Sequence, residues 1–402
     1  MRLNLLFSII VGLVFSFESA WGSRLSVSGN KLIFNGKSVF LSGVNFAWKF
    51  YGYDFGNGQY AANSKTTFEQ WLKEVATYGG NSVRVWLHVE GDNTPSYDAY
   101  GYIIAPDRTG TLIPDMKLFL DTAKANNILV IFVLWNGALL RNQNSVNLFW
   151  DNSKLQSYID KALTPMVKAL AGHPALGAWE IINEPEGLVY NNKPDANSCF
   201  NTVPIANSGA GWDGKWIPMK QIQAFINWQA AAIKVADPGA LVTVGTWSQY
   251  SQTDAFSDTR NYYSDACLFA GMTVHFLTCL KPQGNYYSDA CLFAAGGKSL
   301  GKLDFYQIHT YATFSASAPF KILASNYGLN KPLVIGEFSS SCSGGMTIQQ
   351  MYNYAYSNRY QGAWGWQYAG GYCSDSRATQ DLGMQQLKGK NTTSGLVNFP
   401  II

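Results

Sequence analysis

Leu333-Val334-Ile335-Gly336-Glu337-Phe338 is the stretch from which the fold of this chain can be worked out. Residues that favour β-strands lead directly to a carboxylate, and a serine-rich loop follows. Glu337 is the only glutamate between Gly187 and the C-terminus, so this half of the chain does not use glutamate as a general surface residue. A buried parallel strand would deliver Glu337 to the carboxyl edge of a sheet. A chance acid at a strand end, or a buried ion pair, is the alternative that this stretch alone leaves open.

The composition describes a globular protein rich in aromatic residues. Hydrophobic residues make up 47% of the 402 residues and charged residues 14%, which is enough for a large core and leaves little sign of disorder. The net charge of +3, without a dense Lys/Arg run, argues against nucleic acid as a partner. The 13 Trp and 23 Tyr residues suit stacking on sugar rings as well as ordinary packing.

The N-terminus has the pattern of a secretory signal peptide, here residues 1–22. Arg2 supplies a positive charge, Leu3–Phe17 is mostly apolar, and Ala20-Trp21-Gly22 offers small residues for cleavage before Ser23. A single anchoring helix is the alternative, although the apolar run is short. We therefore expect an exported protein that is not bound to a membrane, in which disulfides are permitted. Asn391-Thr392-Thr393 is a glycosylation sequon.

The rest of the chain alternates short apolar strands with amphipathic helices. Leu25–Phe34 and Lys37–Phe46 flank Asn35-Gly36, which is a strong hairpin signal. Eight nearly continuous apolar strands that alternate with helices favour an α/β fold, a (β/α)8 TIM barrel preceded by a short β-hairpin, as one catalytic domain over residues 23–402. The predicted strands are Val39–Phe46, Ser82–His88, Leu129–Trp135, Leu176–Ile182, Leu241–Thr246, Phe305–His309, Leu333–Glu337 and Ala363–Gln367. The helical patterns include Thr66–Tyr78, Asp115–Asn126, Lys154–Leu170, Met219–Val235, Phe320–Asn326 and Ile348–Asn358.

A duplicated decapeptide interrupts this pattern. Asn261–Ala270 recurs letter for letter at Asn285–Ala294, an offset of 285 − 261 = 24 residues. Two copies are too few for a repeat architecture. We interpret the segment around 271–294 as a tandem duplication, or an error in the gene sequence, in the loop that follows the fifth strand. Such a loop tolerates added residues at small thermodynamic cost.

The six cysteines favour disulfides over a metal site. Cys342 and Cys373 follow adjacent strands seven and eight, so we expect them to pair, and we pair Cys199 with Cys291; the sequence alone does not fix the connectivity. The chain has no CxxC motif, and its four histidines are scattered, so we expect neither a metal nor another cofactor. These histidines are His88, His173, His275 and His309.

A second glutamate occupies the same kind of position as Glu337. The predicted fourth strand runs into Asn183-Glu184-Pro185, so Glu184 directly follows an apolar strand, three β/α units before Glu337. In a barrel both side chains would project into the mouth at the C-terminal face. Two acids across one mouth are what glycoside hydrolysis requires. A turn or capping acid is the alternative for Glu184 taken alone.

Five elements at successive strand ends resemble glycoside hydrolase family 5. They are Arg84, Asn183-Glu184-Pro185, His309-Thr310-Tyr311, Ile335-Gly336-Glu337 and Trp366-Gln367-Tyr368. The sequences of Asn81–Gly91 and Trp179–Gly187 are most similar to the corresponding segments of secreted endo-β-1,4-mannanases of invertebrates such as molluscs. The resemblance covers the mature chain except the duplicated insertion.

The resemblance implies a retaining mechanism in which Glu184 is the acid/base and Glu337 the nucleophile. Arg84 and Tyr311 would keep Glu337 ionised, while Glu184 would stay protonated in a less compensated setting. The resemblance also implies substrate contacts for Asn183, His309 and Trp366. Position at a strand end adds Trp247, His88 and Trp135 as candidate substrate contacts, with ordinary packing as the alternative for each. Glu180 and Glu186 are expected to be structural.

The features of the sequence predict a secreted glycoside hydrolase, and the resemblance implies that it is an endo-β-1,4-mannanase acting on mannan, glucomannan or galactomannan; we expect a monomer. An endo-β-1,4-glucanase has the same acid, nucleophile and fold, and differs in how the cleft accepts an axial or equatorial 2-hydroxyl. A catalytically dead sugar-binding barrel is the alternative from another class, and its hallmark would be the loss of one carboxylate. Both carboxylates are present.

Overall fold

The computed structural model describes residues 24–253, 284–311, 319–343 and 345–402. The predicted signal peptide, the first decapeptide copy, Cys267, Cys279 and His275 lie outside the described residues. Within them, eight parallel strands form a closed barrel, which confirms the predicted fold. In barrel order they are β4 (Leu41–Ala47), β5 (Ser82–Val89), β8 (Leu129–Asn136), β9 (Leu176–Asn183), β10 (Val242–Thr246), β11 (Tyr306–His309), β12 (Leu333–Phe338) and β13 (Gly362–Gly365).

The barrel strands are buried on both faces, as their apolar sequences predicted. Every residue of the eight strands is buried, including those of β12, which carries Glu337. The pairing register shifts in several strand pairs, for example between Ile308 and His309 of β11 and between Trp86 and Val89 of β5. Such irregularities redirect side chains at barrel rims. They decide which residues face the mouth.

Helices surround the barrel, with two departures from the predicted pattern. The stretch predicted as one helix over Lys154–Leu170 contains a π-helical turn, Ile159–Leu163, just before Pro165, because proline has no N–H for the regular helical ladder. The predicted helix Phe320–Asn326 is wrong: Pro319–Lys321 and Ala324–Tyr327 are separate 3-10 turns, divided at Leu323, whose backbone is extended. The helices are α1 (Lys65–Thr77), α2 (Leu112–Ala125), α3 (Gln143–Asn147), α4 (Asn152–Tyr158), α5 (Thr164–Leu170), α6 (Met219–Ala236), α7 (Asp289–Gly296), α8 (Ser340–Ser343), α9 (Ile348–Ser357) and α10 (Arg377–Gln385).

A small antiparallel sheet precedes the barrel. It consists of β1 (Ser26–Ser28), β2 (Lys31–Phe34) and β3 (Lys37–Val39), and a two-stranded sheet of β6 (Ser96–Tyr97) and β7 (Ile103–Ala105) lies beyond β5. Asn35 and Gly36 have φ values of 50° and 72°, as a tight hairpin turn requires, so the predicted hairpin is confirmed. Phe34 packs on Phe399 with ring centroids 5.1 Å apart, so the hairpin contacts the C-terminal segment.

Two disulfides join segments that follow neighbouring barrel strands. Cys342 pairs with Cys373, and Cys199 pairs with Cys291, so both predicted pairings are confirmed. Cys291 lies in α7, which belongs to the second decapeptide copy. Among the described residues, no helix is both long and apolar enough to cross a bilayer.

Candidate active site

A fully buried arginine organises the barrel mouth. Arg84 on β5 uses all five of its N–H donors: two bind the carboxylate of Glu180, at 2.7 and 2.5 Å, and one each binds Asn45, Asn183 and Glu337, at 2.8, 2.7 and 2.6 Å. Burial alone would lower the pKa of the guanidinium, but Glu180 and Glu337 raise it, so Arg84 stays charged. The guanidinium of Arg84 therefore fixes the positions of two carboxylates and two amides around it.

Glu337 is held by donors on both of its oxygens. Arg84 donates to Oε1 at 2.6 Å and the Tyr311 hydroxyl donates to Oε2 at 2.7 Å. Burial raises the pKa of Glu337, while the electrostatic influence of His309 and Arg84, together with the hydrogen bond from Tyr311, opposes that rise. Glu337 thus accepts one hydrogen bond from a charged donor and one from a hydroxyl, and both favour its ionised form.

Glu184 has a different environment from Glu337. Its side chain is 16% exposed, and His309 Nδ1 lies 2.9 Å from its Oε1. Burial raises the pKa of Glu184 from 4.5 to about 7; the charge of Arg84 opposes this rise and that of Glu180 adds to it. Glu184 also has φ of 41° and ψ of 56°, a left-handed conformation that is uncommon for residues other than glycine and is often found at functional sites.

The two glutamates lie close together across the mouth. Glu184, His309 and Glu337 each offer a side-chain atom within 4.8 Å of the others. Carboxylate oxygens no more than 4.8 Å apart are compatible with the roughly 5–5.5 Å between the carboxyl groups of retaining glycosidases, and they favour that class over inverting enzymes, whose carboxyl groups are roughly 6.5–9.5 Å apart. The three groups are also close enough to contact a cation. Glu337, however, already binds the charged Arg84, which would repel one.

Two glycines make room for His309 between the carboxylates. The register shift in β11 sets His309 opposite Glu337, and its Nδ1 is 3.5 Å from Glu337 Oε1. A Cβ at Gly245 would lie 2.4 Å from Glu180 Oε1 and 3.0 Å from His309 Nε2, and one at Gly336 would lie 3.0 Å from the His309 ring. Burial lowers the pKa of His309 to about 4, so the ring is neutral near pH 7.

Asn183 connects the arginine network to the rim of the cleft. Its Oδ1 accepts from Arg84, and its Nδ2 donates to Asn136 Oδ1 at 3.1 Å. Asn136 Nδ2 in turn donates to the Tyr51 hydroxyl, which donates to Glu90. This chain of hydrogen bonds orients the Asn183 amide.

Aromatic residues flank the carboxylates on two sides of the mouth. Trp366, after β13, packs against Trp48 and Trp86 with centroids 5.7 and 6.0 Å apart. Trp247, after β10, lies nearly parallel to Trp212, with centroids 6.0 Å apart and an interplanar angle of 20°. Trp366 and Trp247 are partly exposed, so both remain candidates for sugar contact.

Two of the predicted substrate contacts are packing residues instead. His88 and Trp135 are 0% and 1% exposed, and their rings pack against each other and against Tyr158 of α4. His88 Nδ1 also bonds the Thr94 hydroxyl at 2.8 Å, and burial lowers its pKa to about 3. The register shift in β5 between Trp86 and Val89 breaks the strict alternation along the strand. Both side chains therefore point toward the surrounding helices, away from the cleft.

Some residues of the site carry no separate motif in the sequence. Asn45 on β4 donates from Nδ2 to the Gly336 carbonyl oxygen and accepts from Arg84. Gln307 donates to Glu180 Oε2 at 2.8 Å. Their signal is a polar residue inside an otherwise apolar barrel strand, which indicates an inward-facing partner. Glu180 gives the same signal and was expected to be structural, and it holds Arg84 through two hydrogen bonds.

Comparison with known proteins identifies the family of this chain. No protein-family model matches it. A mannan endo-1,4-beta-mannosidase from Cryptopygus antarcticus is 48% identical over 396 residues, covering 97% of this chain and 96% of that protein. A protein of the same name from Mytilus edulis is 45% identical over 382 residues, covering 94% of this chain and 95% of that protein. The crystal structure of endo-1,4-beta-mannanase from Eisenia fetida matches with a TM-score of 0.87 at 44% identity, covering 94% of this chain and 100% of that chain. The chain therefore belongs to the mannan endo-1,4-β-mannosidase family of glycoside hydrolases, as its resemblance to glycoside hydrolase family 5 predicted.

Proposed function

We propose that this protein is a secreted, retaining endo-β-1,4-mannanase that hydrolyses internal β-1,4-mannosidic bonds of mannan, glucomannan or galactomannan. The observation that carries the proposal is the close approach of Glu184 and Glu337 in unlike environments. One carboxyl with a raised pKa suits proton donation, and one held by Arg84 and Tyr311 suits nucleophilic attack.

The first step follows from these environments. Glu337 attacks the anomeric carbon and forms a glycosyl ester, while Glu184 gives its proton to the departing glycosidic oxygen. A neutral His309 that donates its Nδ1 hydrogen to Glu184 Oε1 leaves Oε2 to carry the transferred proton. In the second step, the ionised Glu184 removes a proton from water as the water oxygen attacks the anomeric carbon. The ester bond breaks and Glu337 is released as a carboxylate.

The distribution of exposed aromatic residues supports cleavage inside a polymer. Phe50, Tyr53 and Tyr372 are exposed in the loops after β4 and β13, while Trp212, Trp216 and Tyr250 are exposed in the loops after β9 and β10. In the order of the closed barrel, β4 is opposite β10 and β13 is opposite β9. A polysaccharide that crosses the carboxylates can therefore meet aromatic side chains on both sides of the cleaved bond.

Release of reducing ends from purified mannan tests the proposal, with glucomannan and carboxymethylcellulose as comparison substrates. We expect rapid release from mannan and glucomannan and none from the matched Glu337→Gln variant. Activity on carboxymethylcellulose without activity on mannan would instead assign a glucanase. Binding of mannan without any release by the unchanged protein would assign a sugar-binding barrel.

Export and the monomeric state belong to the same proposal. The two disulfides fit an oxidising compartment, and one chain supplies both carboxylates of the site. Removal of residues 1–22 during secretion should give a mature N-terminus at Ser23, which N-terminal sequencing of the exported protein would reveal. Asn391 lies in an exposed segment, as an acceptor for glycosylation requires.

A further inference from the structure

Glu186 is a buried carboxylate for which the hydrolytic mechanism has no use. It lies two residues after Glu184 and is 1% exposed. The Tyr287 hydroxyl donates to its Oε1 at 2.6 Å, and the Trp247 backbone N–H donates to its Oε2 at 3.2 Å. Burial raises the pKa of Glu186 to about 7, and the hydrogen bonds from Tyr287 and Trp247 oppose that rise. Burying a carboxyl group costs free energy, so the groups that bond Glu186 indicate its structural role.

The backbone of Glu186 and Gly187 also fixes Trp212. Gly211 N donates to the Glu186 carbonyl oxygen at 2.8 Å, and Asp213 N donates to the Gly187 carbonyl oxygen at 2.9 Å. A Cβ at Gly187 would lie 2.9 Å from the Trp212 ring, so the glycine lets the indole approach the backbone. The Glu186-Gly187 pair thus contacts both members of the parallel Trp212–Trp247 pair.

The position of Tyr287 is fixed by contacts that its neighbours in the chain make. It belongs to the second decapeptide copy, whose Tyr286 carbonyl oxygen accepts from Gln223 of α6 at 2.8 Å. The same copy supplies Cys291, which forms a disulfide with Cys199. The Tyr287 hydroxyl is therefore a fixed donor that orients the Glu186 carboxylate.

We propose that Glu186, oriented by Tyr287, is a positioning residue that holds Trp247 against Trp212 to form a platform for a sugar ring beside the acid/base. The inference rests on the proposed function and deepens it, because it assigns part of the substrate-binding energy to a residue that does not touch substrate. The platform ring would stack on the apolar face of a mannose unit in a subsite that flanks the cleaved bond.

Tyr287→Phe tests the inference because it removes only the hydroxyl. Tyr286→Phe is the matched control, since its hydroxyl donates to the Asn201 carbonyl oxygen and not to Glu186. With mannohexaose as substrate, we expect Tyr287→Phe to raise KM about tenfold and to leave kcat within about twofold. In a Trp247→Ala background the same substitution should have no further effect on KM, because the two residues act as a unit.

An unchanged KM in a folded Tyr287→Phe variant, or additive effects with Trp247→Ala, would overturn the inference. A fall in kcat at constant KM would also overturn it, because that result would assign the pair to Glu184. If Tyr287→Phe does not fold, Glu186→Gln is measured in the same way, since its amide retains one acceptor. Failure of the unchanged protein to cleave mannohexaose would refute the proposed function instead, and calorimetric binding of mannohexaose to the same variants would then decide the inference.

Discussion

The rate of hydrolysis should fall as pH rises through the pKa of Glu184. Burial raises that pKa from 4.5 to about 7. A group with this pKa is about 90% protonated at pH 6 and about 10% protonated at pH 8. Only the protonated form can act as general acid, so the reactive fraction is present below pH 7 and is lost above it. We expect kcat/KM for mannohexaose to fall about tenfold between pH 6 and pH 8.

A substrate that needs no proton separates Glu184 from other titrating groups. The leaving group of 2,4-dinitrophenyl β-mannobioside departs as a stable anion. Its kcat/KM should therefore stay nearly constant from pH 6 to pH 8, while that of mannohexaose falls. The two profiles are measured on the same enzyme preparation, by dinitrophenolate absorbance and by chromatography of the released oligosaccharides.

Glu186 provides the control, because burial raises the pKa of its carboxyl to about 7 as well. Glu186→Gln should retain the alkaline fall with mannohexaose, whatever its effect on KM. The reasoning is refuted if both substrates lose activity in parallel above pH 7. It is equally refuted if the alkaline fall disappears in Glu186→Gln, since that result would place the essential proton on the wrong carboxyl.

Three further perturbations test the site and the duplicated segment. Glu337→Gln should lower kcat by at least about a thousandfold with little change in Tm, because it removes a nucleophile and not packing; retention of a tenth of the normal rate would contradict the assignment. Arg84→Met should lower the free energy of unfolding by about 3–5 kcal/mol in urea titrations at pH 7, since Glu180 and Glu337 lose their buried counter-charge; a loss below about 1 kcal/mol would contradict this. Deletion of residues 271–294 should leave an active enzyme, because the first decapeptide copy then continues directly into Ala295; loss of soluble protein would show that the inserted length is required.

The sequence was sufficient to predict the barrel and the proximity of Glu184 and Glu337 at its mouth. Glu184 and Glu337 could be found because each follows an apolar strand, and parallel strands end at the same face. The disulfide between Cys342 and Cys373 was predictable for the same reason, since adjacent strands bring their following loops together. At these positions the local sequence pattern and the barrel topology lead to the same prediction.

The side-chain directions near strand ends could not be predicted by alternation. Glu180 and Asn183 are three residues apart, yet both bind Arg84, because the register of β9 and β10 shifts beyond Glu180. A similar shift in β5 turns His88 toward Trp135 and away from the cleft. Bulges depend on contacts between strands that are distant in the chain, so a period of two cannot reveal them.

The placement of the disulfides divides the molecule into parts that should respond to different stresses. The two described disulfides both join segments that follow the carboxyl ends of strands. One joins the segments after β9 and β10, and the other joins the segments after β12 and β13. The barrel strands are held together by the hydrogen bonds of the closed sheet and by the hydrophobic core. A mild reductant should consequently lower the affinity for polysaccharide before it lowers the stability of the barrel. Heating, in contrast, should unfold the barrel itself.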